Sequence, residues 1–180
     1  MGNNITGYSG TFDGNNKTVS GLYFNGNSTR IGLFGSSESD GNIKNVGVVD
    51  SYFKGNDFVG GVCGRNDGTI TNCYNAGNLT AIESSAAIGG ICGYNNGGTV
   101  TNCYNTGTVT ATGQVSSVGG VCGCSTAPIS NCYNIGTVTA TDSDTDISGI
   151  CGYNFGPIKN CYYLADTEDE NGGKTADQFA

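Results

Sequence analysis

Short apolar clusters recur along the chain with a period of about 30 residues. In the segment 88–117 the clusters occupy residues 88–92, 100–103 and 109–111, and Gly and Asn separate them. Clusters of this length, rich in Val, Ile and Thr and interrupted by turn residues, predict short β-strands. No apolar stripe with a 3.6-residue spacing runs far enough to predict a helix.

The repeat predicts an all-β fold, a right-handed parallel β-helix (solenoid) of about six coils with three short strands per coil. Full copies at 59–87, 88–117 and 118–146 follow two degenerate copies, and a partial copy comes last. The predicted coils are approximately 8–30, 31–58, 59–87, 88–117, 118–146 and 147–165. We expect one domain over 1–165, with 1–7 as a loose segment or capping strand. Residues 166–180 are predicted to be an acidic tail or the start of the next segment, in which 175–180 begin a helix. A propeller would need a longer period.

Stacked coils place equivalent residues above one another, about 4.8 Å apart. The pattern predicts two interior apolar ladders, formed by Ile70, Val100, Ile129 and Ile158 and by Val62, Ile91, Val121 and Ile150. It also predicts an asparagine ladder at a left-handed bend, formed by Asn72, Asn102, Asn131 and Asn160. A tyrosine stack should lie beside that bend, formed by Tyr74, Tyr104, Tyr133 and Tyr162.

Eight of the nine cysteines fall into two columns. The first column is Cys63, Cys92, Cys122 and Cys151, and the second is Cys73, Cys103, Cys132 and Cys161. Disulfides, a metal site and core packing all remain open as explanations. Packing is favoured because Phe34 and Val46 occupy the two column positions in the preceding copy. We therefore expect structural core ladders and no cofactor.

Charge and composition narrow the classes of partner. The chain has 7 basic and 15 acidic residues, a net charge of −8, and neither His nor Trp. Nucleic acid and anionic membrane surfaces both require basic patches, so neither is an expected partner. No apolar run approaches the roughly 20 residues that span a bilayer, so no transmembrane segment is expected.

The five copies of Gly-x-x-Gly exemplified by Gly61-Val62-Cys63-Gly64 and Gly90-Ile91-Cys92-Gly93 resemble the GLUG motif. The resemblance extends over residues 10–165. It implies a part of a large bacterial surface or secreted protein, of the kind found in gut bacteria and labelled adhesins. GLUG arrays also accompany the catalytic domain of some immunoglobulin A peptidases, whose zinc site needs the motif H-E-x-x-H. This chain has no His, so that activity does not carry over.

Weaker chemical signals remain as alternatives. Asp142, Asp144 and Asp146 alternate along a turn and are weak candidates for Ca²⁺ ligands. The carboxylates elsewhere show no repeated pairing of the kind that a polysaccharide-active β-helix enzyme needs. A minor alternative is ice binding through two Thr-x-Thr rows, at 108–112 and 137–141. Outward Thr is also ordinary for a strand.

The sequence therefore predicts a non-catalytic extracellular repeat domain that acts in adhesion or as a structural spacer. The partner would be a host or microbial glycan or protein, bound at the tyrosine column or at the variable turns 82–87, 112–117 and 141–146. The alternative is a polysaccharide-active enzyme or its accessory carbohydrate-binding domain. We expect a monomer at the cell surface or outside the cell, and a fragment that lacks its signal and anchor.

Overall fold

A computed structural model describes residues 6–82 and 86–164. Every regular element in this part of the chain is a β-strand, and the strands form three parallel sheets that wind as a β-solenoid of about five turns. The predicted all-β parallel solenoid is confirmed. Its right-handed winding stays a prediction.

The first two faces of the solenoid are five-stranded sheets. The strands of face 1 are β3 (Arg30–Ile31), β6 (Phe58–Gly60), β10 (Ala87–Gly89), β15 (Ser117–Gly119) and β20 (Asp146–Ser148). The strands of face 2 are β4 (Phe34–Ser37), β7 (Cys63–Asn66), β11 (Cys92–Asn95), β16 (Cys122–Ser125) and β21 (Cys151–Asn154). The first apolar cluster of each repeat thus contributes strands to two sheets, because the chain turns a corner inside it.

Face 3 is a 13-stranded sheet that is bent within each coil. Its N-terminal strands are β1 (Thr11–Ser20), β2 (Tyr23–Asn25) and the long β5 (Asn42–Gly55). The later strands are β8 (Thr69–Thr71), β9 (Tyr74–Ala81), β12 (Thr99–Thr101), β13 (Tyr104–Asn105), β14 (Val109–Ala111), β17 (Ile129–Ser130), β18 (Tyr133–Asn134), β19 (Val138–Ala140), β22 (Ile158–Lys159) and β23 (Tyr162–Tyr163).

The coil count depends on the face. Faces 1 and 2 each have five rungs, whereas β1 adds a sixth rung to face 3 by pairing with β5 from Thr11 to Ser20. The first coil is thus incomplete, and Tyr8 reaches the face 2 side only through an isolated bridge to Ser37. The predicted tail 166–180, including its helix, and residues 1–5 of the opening lie outside the described residues.

The interior is filled by columns of equivalent residues. The ladder of Val62, Ile91, Val121 and Ile150 is buried throughout, and Ile70, Val100 and Ile129 are fully buried. Ile158 is 37% exposed, although it pairs in register with Ile129. Its prediction as an interior residue was wrong, because no further coil covers it within the described residues.

The two glycines of the Gly-x-x-Gly repeat have separate structural roles. A Cβ on Gly93 would lie 2.6 Å from the Val59 nitrogen and 2.7 Å from the Gly64 oxygen, so the second glycine lets faces 1 and 2 approach backbone to backbone. A Cβ on Gly61 would lie 2.5 Å from the Asn75 side chain. The first glycine therefore makes room for a buried asparagine.

Candidate functional site

The tyrosine column lies on face 3, on strands that pair in register. Tyr74, Tyr104 and Tyr133 are stacked with ring centroids 4.8 Å apart and interplanar angles of 2° and 1°. Tyr162 pairs with Tyr133 in the last rung, and both are about 40% exposed. Because each inner ring has a neighbour on both faces, the inner tyrosines present their edges and hydroxyls to solvent. Burial beside its two neighbours raises the pKa of Tyr104.

An asparagine bend positions this column. Asn72, Asn102, Asn131 and Asn160 have φ between 51° and 54°. Asn tolerates this left-handed conformation, which turns the chain just before the buried cysteine and the outward tyrosine. The Nδ2 of Asn131 donates to Oδ1 of Asn102 at 3.2 Å, and that of Asn160 donates to Asn131 at 3.1 Å.

A second run of asparagine side-chain bonds, not bonded to the first, ends in a carboxylate at the N-terminal end. Asn72 donates to Asn45 at 3.0 Å, and Asn45 donates to the Asp13 carboxylate at 3.0 Å. These bonds place a carboxylate where the next amide would be. Hydrogen bonds from the Asn45 side chain and the Asn15 backbone, helped by Lys44, lower the pKa of Asp13.

A groove separates the two rows. Asn72, Asn102, Tyr74 and Tyr104 line a cavity of about 270 Å³ between them. The tyrosine column ends at Gly47, which pairs with Tyr74 in register and whose missing side chain accommodates the Tyr74 ring. The groove therefore offers a line of phenol edges facing a line of amides.

The cysteine columns lie inside the solenoid. All eight column cysteines are buried, all nine cysteines are free thiols, and Phe34 stacks in register on Cys63. Burial raises the pKa of Cys63 to about 12 and holds those of Cys92 and Cys122 well above the usual value. These thiols are protonated at neutral pH, and neither metal binding nor nucleophilic chemistry suits them.

The thiols of the second column donate to backbone carbonyls, as Cys103 Sγ does to the Thr101 carbonyl at 3.2 Å. The neighbouring Cys103 thiol lowers the pKa values of Cys73 and Cys132. Burial beside these thiols raises the pKa of Cys103, and the neighbouring Cys132 thiol raises that of Cys161. Cys124 lies outside both columns, on the outer row of face 2 between Tyr94 and Tyr153.

Two buried polar ladders were not anticipated from the sequence. Asn75, Asn105 and Asn134 are fully buried, and each Nδ2 of the first two donates to the next Oδ1 at 2.9 Å. Each also closes a loop with the glycine two positions later, as in the pair of bonds between Asn105 and Gly107. A second ladder links Ser37, Asn66, Asn95 and Ser125. The recurring Asn-x-Gly triplet was the sequence signal for the first ladder, and it occurs twice in the second, at Asn66 and Asn95.

The acidic turn contains Asp142, Asp144 and Asp146. The Asp142 carboxylate accepts a hydrogen bond from the Asp144 backbone at 3.0 Å, and Asp146 begins β20. Within residues 6–82 and 86–164, no group of three or more His, Cys, Asp or Glu side chains is arranged to hold a metal ion. Of the variable turns, 112–117 and 141–146 are described, whereas 82–87 is described only in part.

The Thr rows do stack. Thr110 and Thr139 pair in register, and their hydroxyls are 3.5 Å apart. Thr108 instead donates to Asn78, which stands at its position in the preceding coil. The regular Thr face therefore spans two coils.

A second aromatic site lies near the N-terminal end. Tyr23 and Tyr52 stack at 5.5 Å and line a cavity of about 390 Å³ together with Asp50 and Asn78. Asp50 has a φ of 46°, a left-handed conformation that Asp and Asn adopt more readily than other residues with a side chain. The degenerate pattern of the first two coils hid this pair in the sequence.

Comparison with known proteins identifies the repeat. The family model described as "The GLUG motif" matches residues 59–80 and 84–110. Halomucin from Haloquadratum walsbyi is 37% identical over 89 residues, which is 48% of this chain and 1% of Halomucin. No solved structure matches the chain. Within the part of the chain that the structure describes, no helix could span a membrane.

The matched segments contain the Gly-x-x-Gly pairs whose glycines admit the buried asparagine and the neighbouring sheet. The sequence match and the geometry therefore describe the same unit, and the chain contains GLUG-motif repeats in the segments 59–80 and 84–110.

Proposed function

We propose that this chain is a non-catalytic, extracellular scaffold that binds glycan chains along the groove between the tyrosine column and the asparagine ladder. The observation that carries the proposal is the in-register pairing of two polar rows with one repeat distance. Tyr rings stack at 4.8 Å, and amide-to-amide bonds join Asn131 to Asn102 and Asn160 to Asn131. A surface or extracellular location is supported by the likeness to Halomucin.

The ligand class is argued from the groups that face the groove. Asn131 uses one donor and one acceptor along the ladder, and Asn72, Asn102 and Asn160 each use one group only. A primary amide has two N–H groups and two lone pairs. The remaining groups, together with the tyrosine hydroxyls, suit a ligand with many hydroxyls. A polymer with hydroxyls along its length would contact several rungs at once, which raises affinity without any single strong contact.

Stacking of a sugar on a tyrosine face has a smaller role in this proposal. The inner rings cover one another's faces, so binding depends on ring edges and hydroxyls. Adhesion or spacing is the corresponding biological role, in a protein of which this chain is one segment. The proposed ligand is a host or microbial glycan, and the scaffold is proposed to act as a monomer.

The test is a glycan array probed with the whole chain, followed by calorimetry with the best ligand. Tyr104→Ser should weaken binding at least 10-fold, and Tyr104→Phe about 3-fold, because it removes only the hydroxyl bond. Tyr153→Ser is the matched control, since Tyr153 is an exposed tyrosine on face 2. Equal binding by Tyr104→Ser and the wild type would refute the groove, and an array without any ligand would leave a spacer role only.

The non-catalytic part is tested separately. Plant and mucin polysaccharides incubated with the chain should show no new reducing or unsaturated ends. Release of such ends, abolished by a single Asp→Asn substitution, would establish the enzyme alternative.

A further inference from the structure

The chain contains two arginines, and both line one cavity at the N-terminal end. Arg30 lies on face 1 and Arg65 on face 2, one coil apart. The cavity measures about 330 Å³, and Ser36, Glu38 and Asp67 also line it. In a chain of net charge −8, the two arginines balance Glu38 and Asp67 in the cavity lining, so the cavity is a neutral site in an acidic chain.

Arg65 is held in a fixed orientation. Its Nε and Nη2 donate to the two Asp67 oxygens at 2.9 and 3.2 Å, and its guanidinium carbon lies 5.9 Å from the centre of the Tyr94 ring. Asp67 also accepts from Asn96 at 2.6 Å. A bidentate pair of this kind leaves further N–H groups of the guanidinium directed away from Asp67. Arg65 is thus positioned before any ligand arrives.

Arg30 is supported by packing. Phe58 is its register neighbour in the next coil, and the Phe58 ring packs on Tyr94 at 5.2 Å. The Phe58 and Tyr94 rings therefore connect the packing around Arg30 with the packing around Arg65. Within the described part of the chain, Arg30 makes no ion pair within 4.0 Å.

An unsatisfied hydroxyl lies at the wall of this cavity. The Ser36 side chain is 3% exposed, and its Oγ has no hydrogen-bond partner. A buried hydroxyl without a partner is destabilising, and a ligand that accepts its hydrogen bond would remove that penalty. Ser36 pairs in register with Arg65, so the hydroxyl and the guanidinium belong to adjacent rungs of one row.

We propose that this cavity, named here the arginine cavity (Arg30, Ser36, Glu38, Arg65 and Asp67), binds the carboxylate of an acidic sugar such as a uronic acid. Two guanidinium groups and a hydroxyl donor recognise one carboxylate. Glu38 and Asp67 at the same cavity accept hydrogen bonds from neighbouring sugar hydroxyls and disfavour dianions such as phosphate. The site is separate from the tyrosine groove and does not depend on it.

The experiment is a calorimetric titration of the whole chain. The ligands are glucuronate, a trigalacturonate oligosaccharide, galactose, acetate and inorganic phosphate. The two uronates should bind at least 10-fold more tightly than galactose, acetate or phosphate. Tighter binding of the oligosaccharide than of glucuronate would identify a polymer as the source, and equal binding would identify the monosaccharide. Both results support carboxylate recognition.

Single substitutions test whether the uronate binds in the arginine cavity. Arg30→Gln should weaken uronate binding at least 10-fold, and Ser36→Ala about 3-fold or more. Lys54→Gln, which removes one positive charge on face 3, should change it less than 2-fold. The circular dichroism spectrum of each variant should match that of the wild type. If Arg30→Gln does not fold, Ser36→Ala still tests the site.

Three results would overturn the proposal. The first is that no uronate binds at 10 mM, roughly the weak end of specific recognition. The second is that phosphate or acetate binds as tightly as the uronates. The third is that Arg30→Gln binds uronate as tightly as the wild type does. Tyr104→Ser should leave uronate binding unchanged, so failure of the tyrosine groove and failure of the arginine cavity are distinguishable.

Discussion

The second coil and the regular coils after it take the same path with different interiors. In the regular coils the innermost position of face 3 is a buried asparagine, which closes a loop with the glycine two positions later. In the second coil the same position is Val48, which pairs with Asn75 and is fully buried. The chain there continues as β5, which extends from Asn42 to Gly55.

The second coil makes its turn by other means. Between Val49 and Tyr52 the register shifts, because two residues, Asp50 and Ser51, stand opposite the single Gly77. Ser51 Oγ donates to the Val49 carbonyl at 2.7 Å and accepts from the Leu22 nitrogen at 3.1 Å. A bulge with a serine hydroxyl thus replaces the asparagine loop. The regular coils therefore require asparagine at this position because it forms the local turn. Burial alone does not require it, since the buried residue of the second coil is Val48.

The largest expected effect arises from that difference. Asn105→Val, which inserts the residue of the second coil into a regular coil, should lower the free energy of unfolding by about 3–5 kcal/mol, because it orphans partners in two neighbouring asparagines and in Gly107. Urea denaturation measures the change. Val48→Ala, a cavity-forming control, should cost less, about 2 kcal/mol. If Asn105→Val lost under about 1 kcal/mol, within the net worth of one hydrogen bond, the two interiors would be interchangeable.

A second substitution addresses what both regions share, which is the close approach of faces 1 and 2. Gly93→Ala places a methyl group against the Val59 nitrogen and the Gly64 oxygen, so it should destabilise the fold by about 3 kcal/mol. Gly97→Ala is the control, because a Cβ there meets nothing within 4 Å and only the φ of 85° opposes it. The control should cost about 1 kcal/mol. Equal losses for both variants in thermal denaturation would show that the faces have room to separate.

The smallest expected effect is that of a single thiol per unit of pH, and it should be confined to the cysteine-bearing coils. The pKa of Cys63 rises from 9.0 to about 12 on folding, so the thiol contributes stability below pH 9 that is lost as pH rises from 9 to 12. The loss should be about 1.4 kcal/mol per pH unit for each such thiol. Denaturant midpoints from about pH 8 to about pH 11, which bracket the start of this window, measure it.

The control for pH is another cysteine. Cys63→Ala should reduce this slope, whereas Cys124→Ala should reduce it less, because Cys124 is only partly buried. The second coil has Phe34 and Val46 at the two column positions and should add nothing to the slope. A slope that Cys63→Ala leaves unchanged would mean that alkali acts elsewhere.

The sequence allowed the parallel solenoid to be predicted because its interior is periodic. Asn102 recurs at fixed spacing, and each residue of such a column meets its own equivalents, so pattern and contact coincide. The corner at Gly90 was missed, since the apolar cluster is unbroken there and a backbone approach between sheets leaves no local turn signal. The exposure of Ile158 was missed as well, because burial at the end of a stack depends on whether another coil covers it.

The arginine cavity could not be predicted for a different physical reason. Arg30 and Arg65 lie in different strands and coils. Neither recurs at the equivalent position of another copy, so no repeat connects them. Their meeting depends on the corner between faces 1 and 2, which the sequence did not reveal. The tyrosine groove was partly predictable, because its two rows are periodic. That the stacked rings cover one another's faces could be learned only from the distances and angles between the rings.

The parallel register has a mechanical consequence. Each coil of about 30 residues contributes about 4.8 Å to the axis but contains about 100 Å of extended chain. When the two ends of the chain are pulled apart, the terminal rung separates from its neighbour first, and the remaining rungs stay intact until their turn. Tension is therefore met by stepwise release of length, one coil at a time, and a longer array of the same repeat would lengthen many times over before its backbone was fully extended.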